Sequence, residues 1–244
     1  MICPSDELPP PLAVPRLNNQ LLHDSGGLRW HLTALRQRHR AWQRFADTLE
    51  GWLDAWRPRS DQLLLVGPSA GWTLPDTLLA RFAQITVLEP DPIARVLLAR
   101  RLKGKPLRFD SLDVFAPGGL DALQAHYGDH AVLFCNLIGQ LAPDTGCSAW
   151  CDTLRSALAR LEWASWHDLA ASTRPVDRPG AQQIPAGETF EAMVGRFWQG
   201  GLVEVMDHGS FSLAAGQGFA CTDWTVRRAQ HHLVGWLWHQ PNAA

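Results

Sequence analysis

The sequence predicts an α/β fold: a doubly wound, mostly parallel sheet of seven strands with an N-terminal helical extension. Short apolar runs alternate with helical patterns from residue 61 onward, which is typical of a parallel sheet covered by helices on both faces. Four of these runs lead to glycines or polar residues, namely Gly67–Gly71, Glu89, Asp113 and Asn136. Since ligands bind beyond the carboxyl ends of parallel strands, these positions predict a ligand site there.

The strands are predicted from mostly apolar runs that are too short for helices and are bounded by turn residues. They span Leu63–Val66, Ile85–Leu88, Leu107–Phe109, Ala131–Cys135, Trp163–Leu169, Leu202–Met206 and His231–His239. One helix is predicted after the loop Gly67–Gly71 and passes through Leu79 and Phe82. Further helices are predicted over Ile93–Leu102, Leu120–Tyr127, Cys147–Leu161 and Phe190–Trp198. Between Ser172 and Gly187, a stretch rich in Pro, Gly and Arg predicts a mobile loop near the site.

The first 58 residues predict an extension that precedes the sheet. Five prolines within residues 1–17 predict an irregular arm. From Leu28 to Trp56, apolar residues recur at intervals of three, four and seven, which predicts one amphipathic helix that Pro58 ends. We expect this helix to cap one side of the ligand site. Residues 1–58 then form the arm and the cap, and residues 59–244 form the sheet domain.

The composition, with 46% hydrophobic and 19% charged residues among 244, suits one soluble globular domain. The net charge of −2 gives no general reason to expect nucleic-acid or membrane binding. The N-terminus lacks the pattern of a signal peptide and no apolar run reaches the length of a membrane span, so we expect a cytoplasmic protein.

The five cysteines form no C-x-x-C pair, so they predict neither a zinc site nor a redox motif. Twelve tryptophans against one tyrosine predict anchors for helices or an aromatic-lined pocket.

The loop Gly67–Gly71, with the sequence GPSAG, fits three motifs to different degrees. The dinucleotide fingerprint G-x-G-x-x-G matches poorly, and the pattern G-x-G-x-G matches at two of its three glycines, with Ser69 in the middle. The nucleophile elbow G-x-S-x-G of α/β-hydrolases matches fully, and Asp168 followed by His208 or His231 would complete its catalytic order. However, the chain before Ser69 is mostly helical and lacks an oxyanion loop. This context favours a small residue in a tight turn.

From Asp61 to about Leu141, the sequence resembles the class I family of methyltransferases that depend on S-adenosylmethionine (SAM). The resemblance lies in four motifs in order: LLLVGPSAG, ITVLEPDP, LRFDSLDVF and HAVLFCNLIGQL. It implies the Rossmann-like methyltransferase fold and SAM as the cofactor. The residues that it implies at SAM are Gly67, Ser69 and Gly71 around the methionine part, Glu89 at the two ribose hydroxyls, Asp113 and Val114 at the adenine, and Asn136 near the transferred methyl group.

The resemblance implies transfer of a methyl group to an acceptor that the sequence does not identify. The tryptophans and the predicted cap favour a small organic molecule in a closed pocket. His167 and Asp168, near the end of the predicted fifth strand, are candidates for a base and its partner. His208, His231 and His232 are weaker candidates. They predict no metal site, because His231 and His232 point to opposite faces of a strand and no carboxylate completes a set.

Ser69 stands where the family has its middle glycine, and the sequence contains no clear base. Both features favour an alternative, in which the protein keeps the methyltransferase fold and binds a ligand without catalysis. The hydrolase that uses Ser69 is a further alternative.

Overall fold

The computed structural model describes residues 14–18, 27–214 and 216–241. It confirms the α/β fold, but the sheet has nine strands rather than seven. Most of the predicted irregular arm lies outside the described residues. The strands are β1 (Gln62–Val66), β2 (Gln84–Leu88), β3 (Leu107–Asp110), β4 (Ala131–Cys135), β5 (Glu162–Ser172), β6 (Gln182–Ile184), β7 (Met206–Asp207), β8 (Phe219–Arg227) and β9 (Gln230–His239). The helices are α1 (Gly27–Gln37), α2 (Gln43–Ala55), α3 (Asp76–Leu79), α4 (Pro92–Arg101), α5 (Gly119–Tyr127), α6 (Ile138–Leu141), α7 (Cys147–Leu158) and α8 (Phe190–Phe197).

Strands β1 to β5 run parallel, in the spatial order β3-β2-β1-β4-β5. The chain adds β2 and β3 on one side of β1 and then crosses over to add β4 and β5 on the other side. Such a reversal opens a crevice beyond the carboxyl ends of the central strands. β1, β2 and β4 end level there, because Val66 pairs with both Leu88 and Phe134. The residues that follow these three strands therefore meet at one edge of the sheet.

The apolar residues of β1 are buried on both faces of the sheet. Leu64 and Val66 belong to a core that also contains residues of α5, α7 and α8. Leu63 and Leu65 belong to a second core, which contains residues of α1 to α4. Since successive side chains of a strand point to opposite faces, a continuous apolar run is what a strand with helices on both faces requires. This arrangement confirms the doubly wound architecture.

Beyond β5 the sheet continues with antiparallel strands, in the order β9-β8-β6, and β7 pairs separately with β5. The predicted strands at Trp163–Leu169 and His231–His239 are confirmed, whereas β6 and β8 were not predicted. Polar residues interrupt the apolar pattern of β8, and β6 has only three residues. The predicted strand Leu202–Met206 is wrong, because only Met206 joins the sheet and Leu202 is fully exposed.

The predicted helix from Leu28 to Trp56 is two helices, α1 and α2, separated by a turn at residues 38–42. In this turn the N–H groups of Arg40 and Trp42 both donate to the carbonyl of Gln37, at 2.9 and 3.1 Å. The turn separates the two helices, and Trp42 at its end is buried. α1 and α2 share a core with β1 and β2. The division of the chain at residue 58 stays a prediction.

The helix predicted through Leu79 and Phe82 is the single turn α3, and Phe82 lies outside it. The other predicted helices agree with the structure to within three residues at each end. Part of the predicted loop from Ser172 to Gly187 is strand β6, and the mobility of that loop stays a prediction. Among the described residues, no helix is long and apolar enough to cross a membrane.

Candidate active site

A cavity of about 370 Å³ lies beyond the carboxyl ends of the parallel strands. This volume is within the range of small-molecule sites, about 300–1,000 Å³. Six of the predicted site residues line this cavity, namely Gly67, Ser69, Glu89, Asp113, Val114 and Asn136. The other three predicted site residues, Gly71, His167 and Asp168, do not line it.

The loop after β1 turns sharply, because Gly67, Ser69 and Gly71 have φ angles of 66°, 53° and 68°. These values lie in the left-handed region, which glycine adopts at little cost and serine adopts rarely. A Cβ at Gly71 would lie 2.9 Å from a methyl group of Leu98, and the Gly71 carbonyl accepts from Arg101. Gly71 therefore packs on α4 instead of facing the cavity.

The carboxylate of Glu89 follows β2 and is 5% exposed, in the wall of the cavity. Its two oxygens accept from the backbone N–H groups of Ser69 and Asp91, at 2.7 and 2.9 Å. Burial raises the pKa of Glu89 to about 7, although both hydrogen bonds favour the ionised form. Each carboxylate oxygen retains a lone pair, so the group can also accept from a ligand.

Asp113 and Val114 follow β3, the neighbour of β2, and also line the cavity. The Oδ1 atom of Asp113 accepts from the N–H groups of Phe115 and Ala116, both at 3.2 Å, which forms a tight turn. The N–H of Asp113 donates to the carbonyl of Pro15, so the N-terminal segment lies along this side of the site. Val114 is buried and gives the cavity an apolar surface.

Asn136 follows β4 and also adopts a left-handed conformation, with φ of 52°. Its backbone N–H donates to the carbonyl of Trp166, and its side-chain Nδ2 donates to Oδ2 of Asp168 at 3.1 Å. Its Oδ1 atom is buried and has no hydrogen-bond partner. A buried polar atom without a partner costs about 1–3 kcal/mol, so this oxygen is available to a ligand in the cavity.

Five tryptophans line the remaining wall. The rings of Trp30, Trp42 and Trp224 contact one another, with centroids 5.1–6.0 Å apart. The Nε1–H groups of Trp30 and Trp224 are buried without a partner. The tryptophans are Trp30, Trp42, Trp72, Trp166 and Trp224. Trp30 of α1 and Trp42, directly before α2, therefore give the cavity part of its aromatic lining, and the role of this extension as a cap stays a prediction.

The sequence did not predict the pair of His31 and Asp91, which holds α1 against the site. Nε2 of His31 lies 3.1 Å from Oδ2 of Asp91, and the indole N–H of Trp72 donates to Nδ1 of His31. Asp91 also accepts from the N–H of Ile93 and so caps α4. An aspartate before a proline indicates a helix start, so this cap was recognisable in the sequence, whereas no signal marked His31.

His167 and Asp168 point to opposite sides of β5. His167 is fully buried and its Nδ1 lies 3.0 Å from the hydroxyl of Ser165. Burial lowers the pKa of His167 to about 4. Since His167 does not line the cavity, its position gives no support to the predicted role of base. Asp168 is linked to the cavity wall through Asn136.

Asp168 also lies beside two histidines, with its Oδ1 atom 3.1 Å from Nδ1 of His232. Burial opposes ionisation of Asp168, but the nearby His232 and His208 outweigh it and lower the pKa of this carboxyl. Burial likewise opposes protonation of His232, but Asp168 outweighs it and raises the pKa of the imidazole. The sequence argument that no carboxylate accompanies these histidines was therefore wrong. Asp168 and His232 come together only through the pairing of β5 with β9, and His208 joins them through β7.

The geometry gives no support to the hydrolase alternative. The hydroxyl of Ser69 is buried and has no hydrogen-bond partner among the described residues, so none of their histidines is in place to activate it. A nucleophile elbow leads directly into a helix, but the next helix here begins at Asp76.

Comparison with protein-family models and with curated proteins finds no match to this chain. Among solved structures, the DhpI–SAH complex is 15% identical over 88% of this chain and 98% of that chain, with a TM-score of 0.39. The N-methyltransferase NodS from Bradyrhizobium japonicum WM9, in complex with S-adenosyl-L-homocysteine (SAH), is 11% identical over 86% and 99%, with a TM-score of 0.43. The magnesium protoporphyrin IX methyltransferase ChlM from Synechocystis PCC 6803, with bound SAM, is 13% identical over 88% and 86%, with a TM-score of 0.43. Likenesses this remote assign neither a family nor a function to the chain.

Proposed function

We propose that the protein is a SAM-dependent methyltransferase that acts on a small-molecule acceptor. The observation that carries the proposal is the position of Glu89, directly after β2 and in the cavity wall beside the loop Gly67–Gly71. Its two oxygens are fixed by backbone N–H groups, and each retains a lone pair. A carboxylate fixed in this way matches two adjacent hydroxyl groups, such as those of a ribose.

The other polar groups of the cavity suit the rest of the cofactor. Oδ1 of Asp113 is held by its own turn, which leaves Oδ2 to accept from the amine of an adenine, and Val114 offers an apolar surface to the ring. The Ser69 hydroxyl and the Asn136 carbonyl oxygen lack partners among the described residues, and a bound ligand would satisfy both. Serine in place of the middle glycine is thus compatible with a ligand that accepts a hydrogen bond there.

Bound SAM would supply a methyl group on a positively charged sulfur, which is already a strong electrophile. The contribution of the chain is therefore to hold the acceptor in line with that group and to exclude water. The tryptophan wall suits a planar, largely apolar acceptor. The free indole N–H groups of Trp30 and Trp224 add two donors for a polar substituent on it.

The role of general base, predicted for His167, is assigned to no histidine in this proposal. His167 has no access to the cavity, so we assign no proton transfer to it. Asn136 is the nearer group, because its unpartnered Oδ1 can accept from the N–H or O–H of an acceptor. Asp168 acts behind it as a positioning residue, since it accepts from Nδ2 and so fixes which side of the amide faces the cavity.

Calorimetric titration with SAM and with SAH tests this proposal. We expect micromolar binding of both to the wild-type protein and a loss of about 1–3 kcal/mol in Glu89→Ala, the scale of a hydrogen bond to a charged group. Glu191→Ala is the matched control, because this glutamate is exposed in the first turn of α8. Unchanged affinity in Glu89→Ala would overturn the ribose assignment, and no binding by the wild-type protein would overturn the proposal.

Transfer of labelled methyl from SAM to a panel of aromatic amines, phenols and thiols then separates the enzyme from a non-catalytic binding protein. The enzyme gives SAH and a methylated product, and this turnover falls in Asn136→Ala. Binding of SAM without turnover on any member of the panel would favour the non-catalytic alternative, which Ser69 supports.

A further inference from the structure

Three side chains from distant parts of the chain converge behind Asn136. They are Asp168 of β5, His208 directly after β7, and His232 of β9. One carboxylate oxygen of Asp168 and one ring nitrogen of each histidine all lie within 4.8 Å of one another. Oδ1 of Asp168 is 3.1 Å from Nδ1 of His232. Ligand atoms at about 2.0–2.2 Å from one tetrahedral zinc ion are about 3.3–3.6 Å apart, so any pair of these atoms that is near 4.8 Å apart must move closer when an ion binds.

Each of the three side chains has one buried atom without a hydrogen-bond partner among the described residues. These atoms are Oδ1 of Asp168, Nε2 of His208 and Nδ1 of His232. Asp168 and His232 are only 2% and 7% exposed, so solvent does not satisfy them. Oδ1 of Asp168 and Nδ1 of His232 are nevertheless close enough for an ion pair, at 3.1 Å. Nε2 of His208 has no such partner among the described residues, and an ion bound by all three side chains would satisfy it.

The remaining atoms of the same side chains are held in place. Asn136 donates to Oδ2 of Asp168 at 3.1 Å, which leaves Oδ1 free. The amide nitrogen of Gln230 lies 3.1 Å from Nε2 of His232. With Nδ1 on a metal, Nε2 carries the proton and donates a hydrogen bond to the amide oxygen of Gln230, once that amide is rotated by half a turn. The backbone N–H of His208 donates to the carbonyl of Leu169, which fixes β7 beside β5. Such outer contacts orient the ligands in metal sites.

We propose that Asp168, His208 and His232 bind one divalent transition-metal ion of the zinc type. Two imidazoles and one carboxylate are ligands that Zn²⁺ prefers, whereas Mg²⁺ and Ca²⁺ prefer oxygen atoms alone. The three protein ligands leave at least one coordination position for water or another ligand. His208 is only partly buried and gives the ion a route from solvent.

The ion links the antiparallel strands to the cavity. It fixes the carboxylate of Asp168, which in turn holds the side chain of Asn136 in the cavity wall. Trp224, another residue of that wall, has its ring 6.3 Å from the ring of His232. Occupancy of the site therefore shapes the acceptor side of the cavity. The proposal does not depend on SAM, because the ligand set stands without it.

The test is titration of metal-stripped protein, with Zn²⁺ by calorimetry and with Co²⁺ by visible absorption. We expect one ion per chain. We also expect Co²⁺ bands in the visible range without the intense near-ultraviolet band that a cysteine thiolate produces. That spectrum separates this site from binding at the cysteines, four of which are free in the described part of the chain.

His208→Ala is the decisive variant, because the side chain is partly exposed and its removal leaves the core intact. We expect it to weaken Zn²⁺ binding by more than about 100-fold, beyond the roughly 10–100-fold of an outer contact. Asn136→Ala should fall in that smaller range. His231→Ala is the matched control, since this neighbouring histidine contacts Thr225 and not Asp168, and we expect it to bind like the wild type.

Two results would overturn the proposal. If the wild-type protein binds no Zn²⁺ or Co²⁺, Asp168 and His232 form only an ion pair, and His208 is not a ligand. If His208→Ala and His232→Asn bind as tightly as the wild type, the ion lies elsewhere. SAM titration with and without Zn²⁺ keeps this test separate from the proposed function, because metal binding can be present when SAM binding is absent.

Discussion

The parallel half of the sheet, β1 to β5, and the antiparallel half, β6 to β9, which adjoins β5, both bring polar groups together, the first at the cavity and the second behind its wall, but by different means. In the parallel half, each group comes shortly after its own strand: Glu89 and Asn136 directly follow β2 and β4, and Ser69 lies three residues after β1. Where the antiparallel half adjoins β5, Asp168 and His232 meet through the register of β5 with β9. Parallel topology brings all strand ends to one edge, so chain order alone locates the site. An antiparallel cluster depends on which residues pair.

The largest expected effect on stability is that of substituting Trp42, which lies where the two halves meet. Trp42 lines the cavity, its ring centroid lies 5.1 Å from that of Trp224 on β8, and its Nε1–H donates to the carbonyl of Val226. We expect Trp42→Ala to lower the free energy of unfolding by about 3–5 kcal/mol, as measured by urea denaturation. Trp238→Ala is the control, because Trp238 is 52% exposed, and it should change the free energy by less than about 0.5 kcal/mol. Equal effects would show that Trp42 does not join the halves.

A smaller effect is expected where α6 crosses β5. A Cβ at Gly139 would lie 2.1 Å from the carbonyl oxygen of Asp168, so the helix or the strand must shift. We expect Gly139→Ala to lower the free energy of unfolding by about 1–3 kcal/mol and to weaken Zn²⁺ binding, because Asp168 moves. In α8, Gly195→Ala has open space and should be neutral or stabilising by up to about 1 kcal/mol. A Gly139→Ala protein with normal stability would contradict the close contact.

The pKa of Glu89 predicts opposite pH dependences for stability and for binding. It is about 7 in the folded protein and 4.5 in its unperturbed state, so the folded state binds more protons between these values. Stability of the ligand-free protein therefore falls as pH rises from about 4.5 to about 7. SAM affinity rises as pH passes 7, because the ionised carboxylate accepts both hydroxyls. Glu89→Gln should flatten both curves, in urea denaturation and calorimetry, whereas Glu191→Gln should flatten neither. A SAM affinity independent of pH in the wild type would contradict the assignment.

The smallest effect is expected at Ser69. Its left-handed conformation disfavours an L-residue by about 1–2 kcal/mol, whereas glycine loses roughly 0.5–1 kcal/mol through its greater freedom when unfolded. We expect Ser69→Gly to raise the free energy of unfolding by less than about 1 kcal/mol and to leave SAM affinity equal or higher. Ala70→Gly is the control. Because Ala70 has an ordinary φ, this substitution should lower the free energy of unfolding. A large loss of SAM affinity in Ser69→Gly would show that the hydroxyl contacts the ligand.

The sequence predicted most of the parallel half correctly. The runs before Gly67, Glu89 and Asn136 were recognisable because a strand buried on both faces is apolar throughout. The prediction of a single helix across Trp42 was wrong. The apolar residues keep a helical spacing through the turn at residues 38–42, so this spacing does not reveal the turn. The tertiary packing of Trp42 accounts for the turn. The predicted strand at Leu202 was wrong because a mostly apolar run does not itself provide a pairing partner.

By itself, the sequence determined the doubly wound parallel sheet and the position of the polar residues around its switch point. It did so because each of these residues is adjacent in sequence to the strand that positions it. Only the tertiary structure decided that His167 is enclosed away from the cavity, and that Asp168 lies with His208 and His232 behind Asn136. These contacts follow from strand register and from the face to which each side chain points, and residues far apart in sequence carry no local signal of either.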